Sequence, residues 1–336
     1  KNAGVNIYFD TDIAIVGISE ILRHIASIKK AFSILTSKLK TEKFDLVILI
    51  DFPGFNLRFS KWVKKAGIPL IYYISPQVWA WGRYRLRTIK KNVDKMLVFF
   101  KFEEDLCKKY GIDCTSVGHP LLDQAKATIA KNEWLKVNNL TPGKIIISLL
   151  PGSRKKTVQY LLPLMLKSAK LIKIELPETQ FIILKFPDIA GNIYEQFIKA
   201  HSIDAKIIEN DLYNALNAAD FSIGASGTSS LETAIMGVPM VITYRLSNLS
   251  YCLIKLAVRV PFIGMPNIIA GKLIAKEFIQ WGAAPEKISK EVISSLKDPQ
   301  KILAIKNELQ KVKLALGKPG ANERAAEAIV NFLNKK

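Results

Sequence analysis

Apolar positions over residues 20–39 recur at steps of four and three: Ile21, Ile25, Ile28, Phe32, Leu35 and Leu39. That spacing lays them along one stripe of an α-helix. The pattern then changes. "DLVILI" (45–50), "PLIYYI" (69–74) and "KMLVFF" (95–100) are short, unbroken apolar runs. Such runs predict strands covered on both faces, as in parallel sheets. A basic helical segment separates the second run from the third. At "NNLTPGK" (138–144) Asn, Pro and Gly crowd together, which marks a linker, and the series restarts beyond it. "KIIISLL" (144–150), "TQFIILKF" (179–186), "FSIG" (221–224) and "VPMVITY" (238–244) predict strands. Helices are expected from about residue 157, over "DLYNALNAAD", and over "LETAIMG", where Gly237 stops the last one.

Helix and strand alternate throughout. The fold class is therefore α/β, with two doubly wound, Rossmann-like domains. The expected division is residues 1–141, residues 142–314 and a C-terminal helical segment, 315–336. In sheets of this kind ligands bind at the carboxyl ends of the strands. If the two domains face each other, those ends line one cleft.

A length of 336 residues fits two domains, at about 100–200 residues each. The balance of 49 Lys and Arg against 29 Asp and Glu gives a net charge of +20. That excess suits an anionic partner: nucleic acid, an anionic bilayer or a phosphorylated substrate. A solvated basic surface accounts for it as well. Cys107, Cys114 and Cys252 form no CxxC, so a reducing, cytoplasmic compartment is expected. His24, His119 and His201 have no ligand spacing, so no metal site is expected. The first thirty residues lack the apolar core of a signal peptide. No stretch reaches the roughly 18 apolar residues of a spanning helix.

Several segments carry candidate chemistry. Asp51 directly follows an apolar strand and precedes a sharp "PG" turn. It serves either as a helix-capping or turn aspartate or as a general base at the cleft edge. "LLPGSRKK" (149–156) runs from strand to turn. Gly152 and Ser153 allow close backbone approach, and Arg154 offers a forked donor to phosphate; an ordinary surface turn fits too. "GASGTSSLE" (224–232) places Ser226, Gly227, Thr228 and Ser229 at a helix start, where amide groups attract an anion such as a diphosphate. Glu232, one turn later, could accept from ribose hydroxyls. GxGxxG is absent, so no nicotinamide or flavin cofactor is expected. Asn267, in an expected loop within "MPNIIAGK", has a carboxamide suited to a sugar or base edge. Tyr251–Val260 reads as a core helix or an interfacial one.

In "SPQVWAWG" (75–82), Trp79 and Trp81 share a face if the segment is extended. Arg83, Arg85 and Arg87 follow at once. Aromatic rings beside a cationic run suit an anionic amphiphile in a membrane interface. They also suit a core cluster beside a solvated helix.

"IDFPGFN", "YYISPQVWAWG", "VGHPLLD", "LLPGSR", "ASGTSSLE" and "MPNIIAGK", in this order across nearly the whole chain, resemble the lipid-A-disaccharide synthase family. The "SPxVWAW" pattern is specific to it; "PGSR" and "SGTSSLE" resemble wider sugar-nucleotide enzymes. The resemblance implies a GT-B-like architecture whose C-terminal helix crosses back to the first domain. It also implies an inverting, metal-independent transfer. UDP-2,3-diacylglucosamine would donate to 2,3-diacylglucosamine 1-phosphate at the inner face of the cytoplasmic membrane, with no cofactor. Asp51 matches the family's catalytic aspartate candidate, Arg154 the "PGSR" arginine and Asn267 the asparagine of "PNxxAG"; Glu232 falls on the nucleotide side. Two departures stand out. The family's opening strand and "GExSGD" loop have no counterpart, which leaves the chain as given expected to be incomplete. Gly54 stands where the family often has Asp, which speaks against that position as the base. A different UDP-amino-sugar enzyme, a peptidoglycan-type GlcNAc transferase or an epimerase, shares the 224–232 loop but leaves the Trp pair without a role. A nucleic-acid module requires one continuous basic stripe with aromatic platforms and is disfavoured.

Overall fold

The computed structural model describes residues 18–248, 251–252 and 260–335, with side chains from Ile25 onward. The chain divides into two compact units: residues up to Val117 together with those from Asn322, and Gly118–Ala321.

The first unit holds a four-stranded parallel sheet in the order β1-β2-β3-β4: Val47–Ile50, Leu70–Tyr73, Lys95–Val98 and Cys114–Ser116. Both faces of the inner strands are covered, which is why they read as unbroken apolar runs, whereas β1, expected to be covered on both faces, leaves Ile48 and Ile50 exposed. Leu49, Leu70, Tyr72, Met96 and Val98 meet the helix Pro53–Lys65 on one face. Ile71, Leu97 and Val117 meet Ala325, Ile329 and Phe332 of the helix Ala321–Leu333 on the other. The Arg324 Nε donates to the Val117 carbonyl at 2.8 Å, tying this last helix to the end of the sheet. Phe32, Leu35 and Leu39 of the helix Ile18–Thr41 pack onto the same core. Ile25 lies exposed, and the Ile21 side chain is outside the described residues.

The second unit holds a six-stranded parallel sheet, β10-β9-β8-β5-β6-β7. Its strands are β5 Ile146–Leu150, β6 Gln180–Lys185, β7 Ala205–Glu209, β8 Phe221–Ala225, β9 Met240–Tyr244 and β10 Lys276–Ile279. Alternate side chains serve opposite layers. Ile147 and Leu149 pack toward the helix Lys155–Glu175, whereas Ile146 and Leu150 pack toward Trp134, Leu135 and Leu216. The chain adds β6 and β7 on one side of β5, then β8, β9 and β10 on the other. The order therefore reverses between β5 and β8, the switch point at which doubly wound sheets open a crevice.

The units part at Val117, upstream of the linker-like stretch 138–144. Residues 118–141 side with the second unit because Trp134 and Leu135 are buried in its core. Asn214 Oδ1 also accepts from the amides of Thr128 and Ile129, at 2.8 and 3.3 Å.

Candidate active site

Both loops singled out in the second unit emerge at the switch point. Leu150 pairs with Gly224, so "PGSR" and "SGTSS" leave neighbouring strand ends. Gly152 has φ +110°, and a Cβ there would lie 2.9 Å from Thr157 Cγ2; conformation and space both demand glycine. Arg154 stands at the entry of the helix Lys155–Glu175, and Gly227, with φ +148°, at that of the helix Thr228–Ile235. Neither helix start has a side-chain cap. Two sets of free amides, two positive dipole ends and an exposed arginine thus lie beside one crevice, an arrangement that attracts phosphate oxygens. Arg154 also acts electrostatically on Tyr244, at the end of β9.

The hydroxyls of this loop do different work. Ser226 Oγ donates to the Ile263 carbonyl at 2.8 Å, so that group holds the loop to the bend at 261–264. Thr228 is exposed and Ser229 half-buried. Glu232 accepts from the Tyr213 hydroxyl at 2.9 Å, and burial raises its pKa.

Asn267 differs from expectation. It lies in the helix Met265–Ala270, not in a loop, and is wholly buried. Its Nδ2 donates to Ala275 O (2.7 Å) and Glu277 Oε1 (2.8 Å), and its Oδ1 accepts from the amides of Ile274 and Ala275 (both 2.9 Å). Its hydrogen-bonding capacity is spent within the fold, which leaves no group free to meet a sugar directly. Glu277 in turn accepts from the amides of Ile263 and Gly264. Asn267 and Glu277 therefore fix the bend on which Ser226 rests. Sequence reasoning passed over Glu277; its one visible signal is an acid within the strand "KEFI".

In the first unit, Asp51 follows β1 directly. It and Phe52 both adopt left-handed backbone, φ 47° and 42°, a conformation that strains non-glycine residues. Ile74, just past the adjacent β2, does the same with φ 71°. The backbone of Asp51 is well held. Its amide donates to Tyr73 O (2.9 Å), and its carbonyl accepts from Tyr72 Oη (2.6 Å) and Asn56 Nδ2 (2.8 Å). Phe52 occupies the N-cap position of the next helix, with no side-chain cap. The exposed Asp51 carboxylate is thus not employed as a cap.

The two tryptophans part company, because 78–80 is a turn rather than an extended segment. Trp79 is half-buried: its Nε1 donates to the buried Glu103 (3.1 Å), and its ring meets Phe102 edge-on. Trp81 is 40% exposed, with the Arg85 guanidinium stacked 3.9 Å from its ring centre. Arg83 and Arg87 are exposed. An apolar surface that the sequence did not suggest lies between the helices Ile18–Thr41 and Pro53–Lys65, a cavity of about 480 Å³ lined by Ile28, Phe32, Gly54, Phe55 and Trp62, with Lys29 and Arg58 also in its lining. Tyr251 packs edge-on against Trp281; residues 253–259 of the Tyr251–Val260 segment lie outside the described residues. Among the described residues no helix is long and apolar enough to cross a membrane.

Two parallel α/β units, the second with a switch point flanked by two uncapped helix starts, have a GT-B-like fold, as do solved glycosyltransferase and sugar-nucleotide epimerase structures. The fold is similar to that of a UDP-GlcNAc 2-epimerase from Neisseria meningitidis solved with UDP-GlcNAc bound. The TM-score is 0.61 at 13% identity, over 94% of this chain and 82% of that one. The chain belongs to the lipid-A-disaccharide synthetase family, whose profile matches residues 1–332. It is 41% identical to the lipid-A-disaccharide synthase of Syntrophus aciditrophicus, over 100% of this chain and 88% of that protein. It is 38% identical to that of Coxiella burnetii, over 99% and 88%.

Proposed function

We propose that the chain is a hexosyltransferase that joins two acylated glucosamines. UDP-2,3-diacylglucosamine gives its sugar to the 6-hydroxyl of 2,3-diacylglucosamine 1-phosphate, forming a β-1,6-linked disaccharide 1-phosphate and UDP. Family membership along the whole chain carries this reading.

In the second unit, Gly152, Ser153, Arg154, Thr228 and Ser229 hold the diphosphate, and Glu232 holds the ribose. Asn267 and Ser226 position that loop rather than touch the sugar. In the first unit, Asp51 takes the proton of the 6-hydroxyl as its oxygen attacks the anomeric carbon. The bond from that carbon to the diphosphate breaks, and the leaving charge is received by Arg154 and by the amides of the two helix starts. The scheme supplies its positive charge from these groups and calls on no metal. Inversion needs a base and a leaving-group site acting on opposite faces of the sugar.

The acyl chains need apolar surface, which Trp81 and the cavity lined by Phe32, Phe55 and Trp62 offer. Exposed Arg83 and Arg87, with the net charge of +20, support a peripheral position on an anionic inner-membrane surface, at about 1 kcal/mol per basic group near the bilayer.

A radiolabelled transfer assay tests the reading. Product is expected with the diacylated donor and not with deacylated UDP-glucosamine. Asp51→Asn is expected to lower turnover by roughly 10²–10⁴ with UDP affinity retained. Full turnover in that variant removes Asp51 as the base, and absence of product from the unaltered chain removes the whole reading.

A further inference from the structure

Arg85 is the one arginine of the 83–87 run that the fold partly encloses. Its guanidinium is stacked on Trp81 at 3.9 Å and reaches toward Tyr84 at 5.9 Å. Gly82, with φ +71°, leaves it room, since a Cβ there would lie 3.3 Å from Arg85 Nε. The position of the group is therefore built rather than incidental. Its Nη1 is nonetheless buried without a hydrogen-bond partner, and no carboxylate pairs with it among the described residues. An unpartnered buried N–H of a charged group is unfavourable, and arginines in such positions ordinarily have an acid beside them. The missing partner is an anion.

The surroundings say which kind. Arg85 and Asp51 both act on the Tyr72 hydroxyl, the guanidinium easing its ionisation and the carboxylate opposing it. That hydroxyl, with Asn56 Nδ2, holds the Asp51 carbonyl. The cation and the proposed base thus both neighbour Tyr72, in the same unit. Arg85 is only partly buried, so an oxyanion can reach the fork.

We propose that Arg85, braced by Trp81, is the specificity-determining residue that receives the phosphomonoester of the acceptor sugar. This rests on the transferase reading above and deepens it. The acceptor carries its phosphate at carbon 1 and its reacting hydroxyl at carbon 6. A guanidinium that fixes the first sets where the second meets Asp51. A planar fork matches phosphate oxygens in a way that an ammonium does not.

The test compares kcat/KM for 2,3-diacylglucosamine with and without its 1-phosphate, at a saturating level of the diacylated donor. Binding to phosphatidylglycerol vesicles is measured alongside. The unaltered protein is expected to prefer the phosphorylated acceptor by roughly 10- to 100-fold, the range of a charge-assisted hydrogen bond. Arg85→Gln is expected to erase that preference while changing donor KM less than about twofold, and Arg85→Lys to restore part of it. Trp81→Ala, on the exposed side of the stack, provides a second variant that loosens the fork and is expected to reduce the preference severalfold. Equal losses on both acceptors in the Arg85 and Trp81 variants would make the pair structural and overturn the assignment. So would an unchanged preference with weaker vesicle binding, which would assign the cation to lipid headgroups. Failure of the unaltered chain to transfer to either acceptor would instead sink the transferase reading, and this one with it.

Discussion

The buried Tyr72 hydroxyl donates to the backbone carbonyl of Asp51 at 2.6 Å. This bond crosses from β2 to the strained end of β1 and fixes the turn that presents the carboxylate. Tyr72→Phe keeps the ring and removes the bond. It is expected to destabilise the protein by about 1 kcal/mol and to lower kcat by roughly 10- to 100-fold through a shifted base. Donor KM should hold. Denaturant melts with steady-state kinetics check this, and an unchanged kcat would mean that the turn holds itself.

Two glycines give a paired prediction. Gly152→Ala meets a forbidden φ and Thr157 Cγ2 at 2.9 Å, so UDP affinity should fall at least about tenfold as the loop moves, with a stability loss of about 1–3 kcal/mol. Gly54→Ala, in the first turn of its helix, meets nothing within 4 Å. It should be neutral or stabilising by up to about 1 kcal/mol. Calorimetric titration with UDP and thermal melts read both.

Asn267 is predicted to act through the fold. Asn267→Ala strands the amides of Ile274 and Ala275 and leaves Glu277 short of a donor, which should cost about 3 kcal/mol or more. Loss of UDP binding should follow the loss of thermal stability. A variant that melts like the parent yet fails to turn over would return Asn267 to direct substrate contact.

Glu103 predicts a pH dependence. It is 4% exposed among aromatic rings, and burial pushes its pKa from 4.5 up to about 7. The folded chain therefore keeps a proton between those values that the unfolded chain releases. Stability should be greatest below about pH 4.5 as far as this group is concerned, and should fall by up to about 3 kcal/mol as pH rises through 7. Glu103→Gln should flatten that slope in a series of melts from pH 5 to 8. A slope that survives the substitution would assign it to other groups.

The strands that the sequence disclosed are β1, β2, β3, β5, β6, β8 and β9. Those it concealed, β4, β7 and β10, all lie at sheet edges among the described residues. An edge strand is covered less completely, so it need not be an unbroken apolar run: "CTS", "AKIIE" and "KEFI" carry polar or charged residues that the partly open edge tolerates. The cavity between the first two helices was concealed for a related reason. Phe32 and Phe55 are 23 residues apart in the chain and on different helices, and no local pattern announces that they line one space.

Sequence alone determined the alternation of elements, hence parallel α/β units, and the glycine- and hydroxyl-rich loops that must follow β5 and β8. Periodicity and backbone chemistry are local and can be read along the chain. Only the tertiary structure decided what each polar group was free to do. Asn267 and Ser226 are occupied, Trp79 is tied to Glu103, and Asp51 and Arg85 keep groups unspent. The reason is that a side chain's availability depends on which distant donors and acceptors the fold brings beside it.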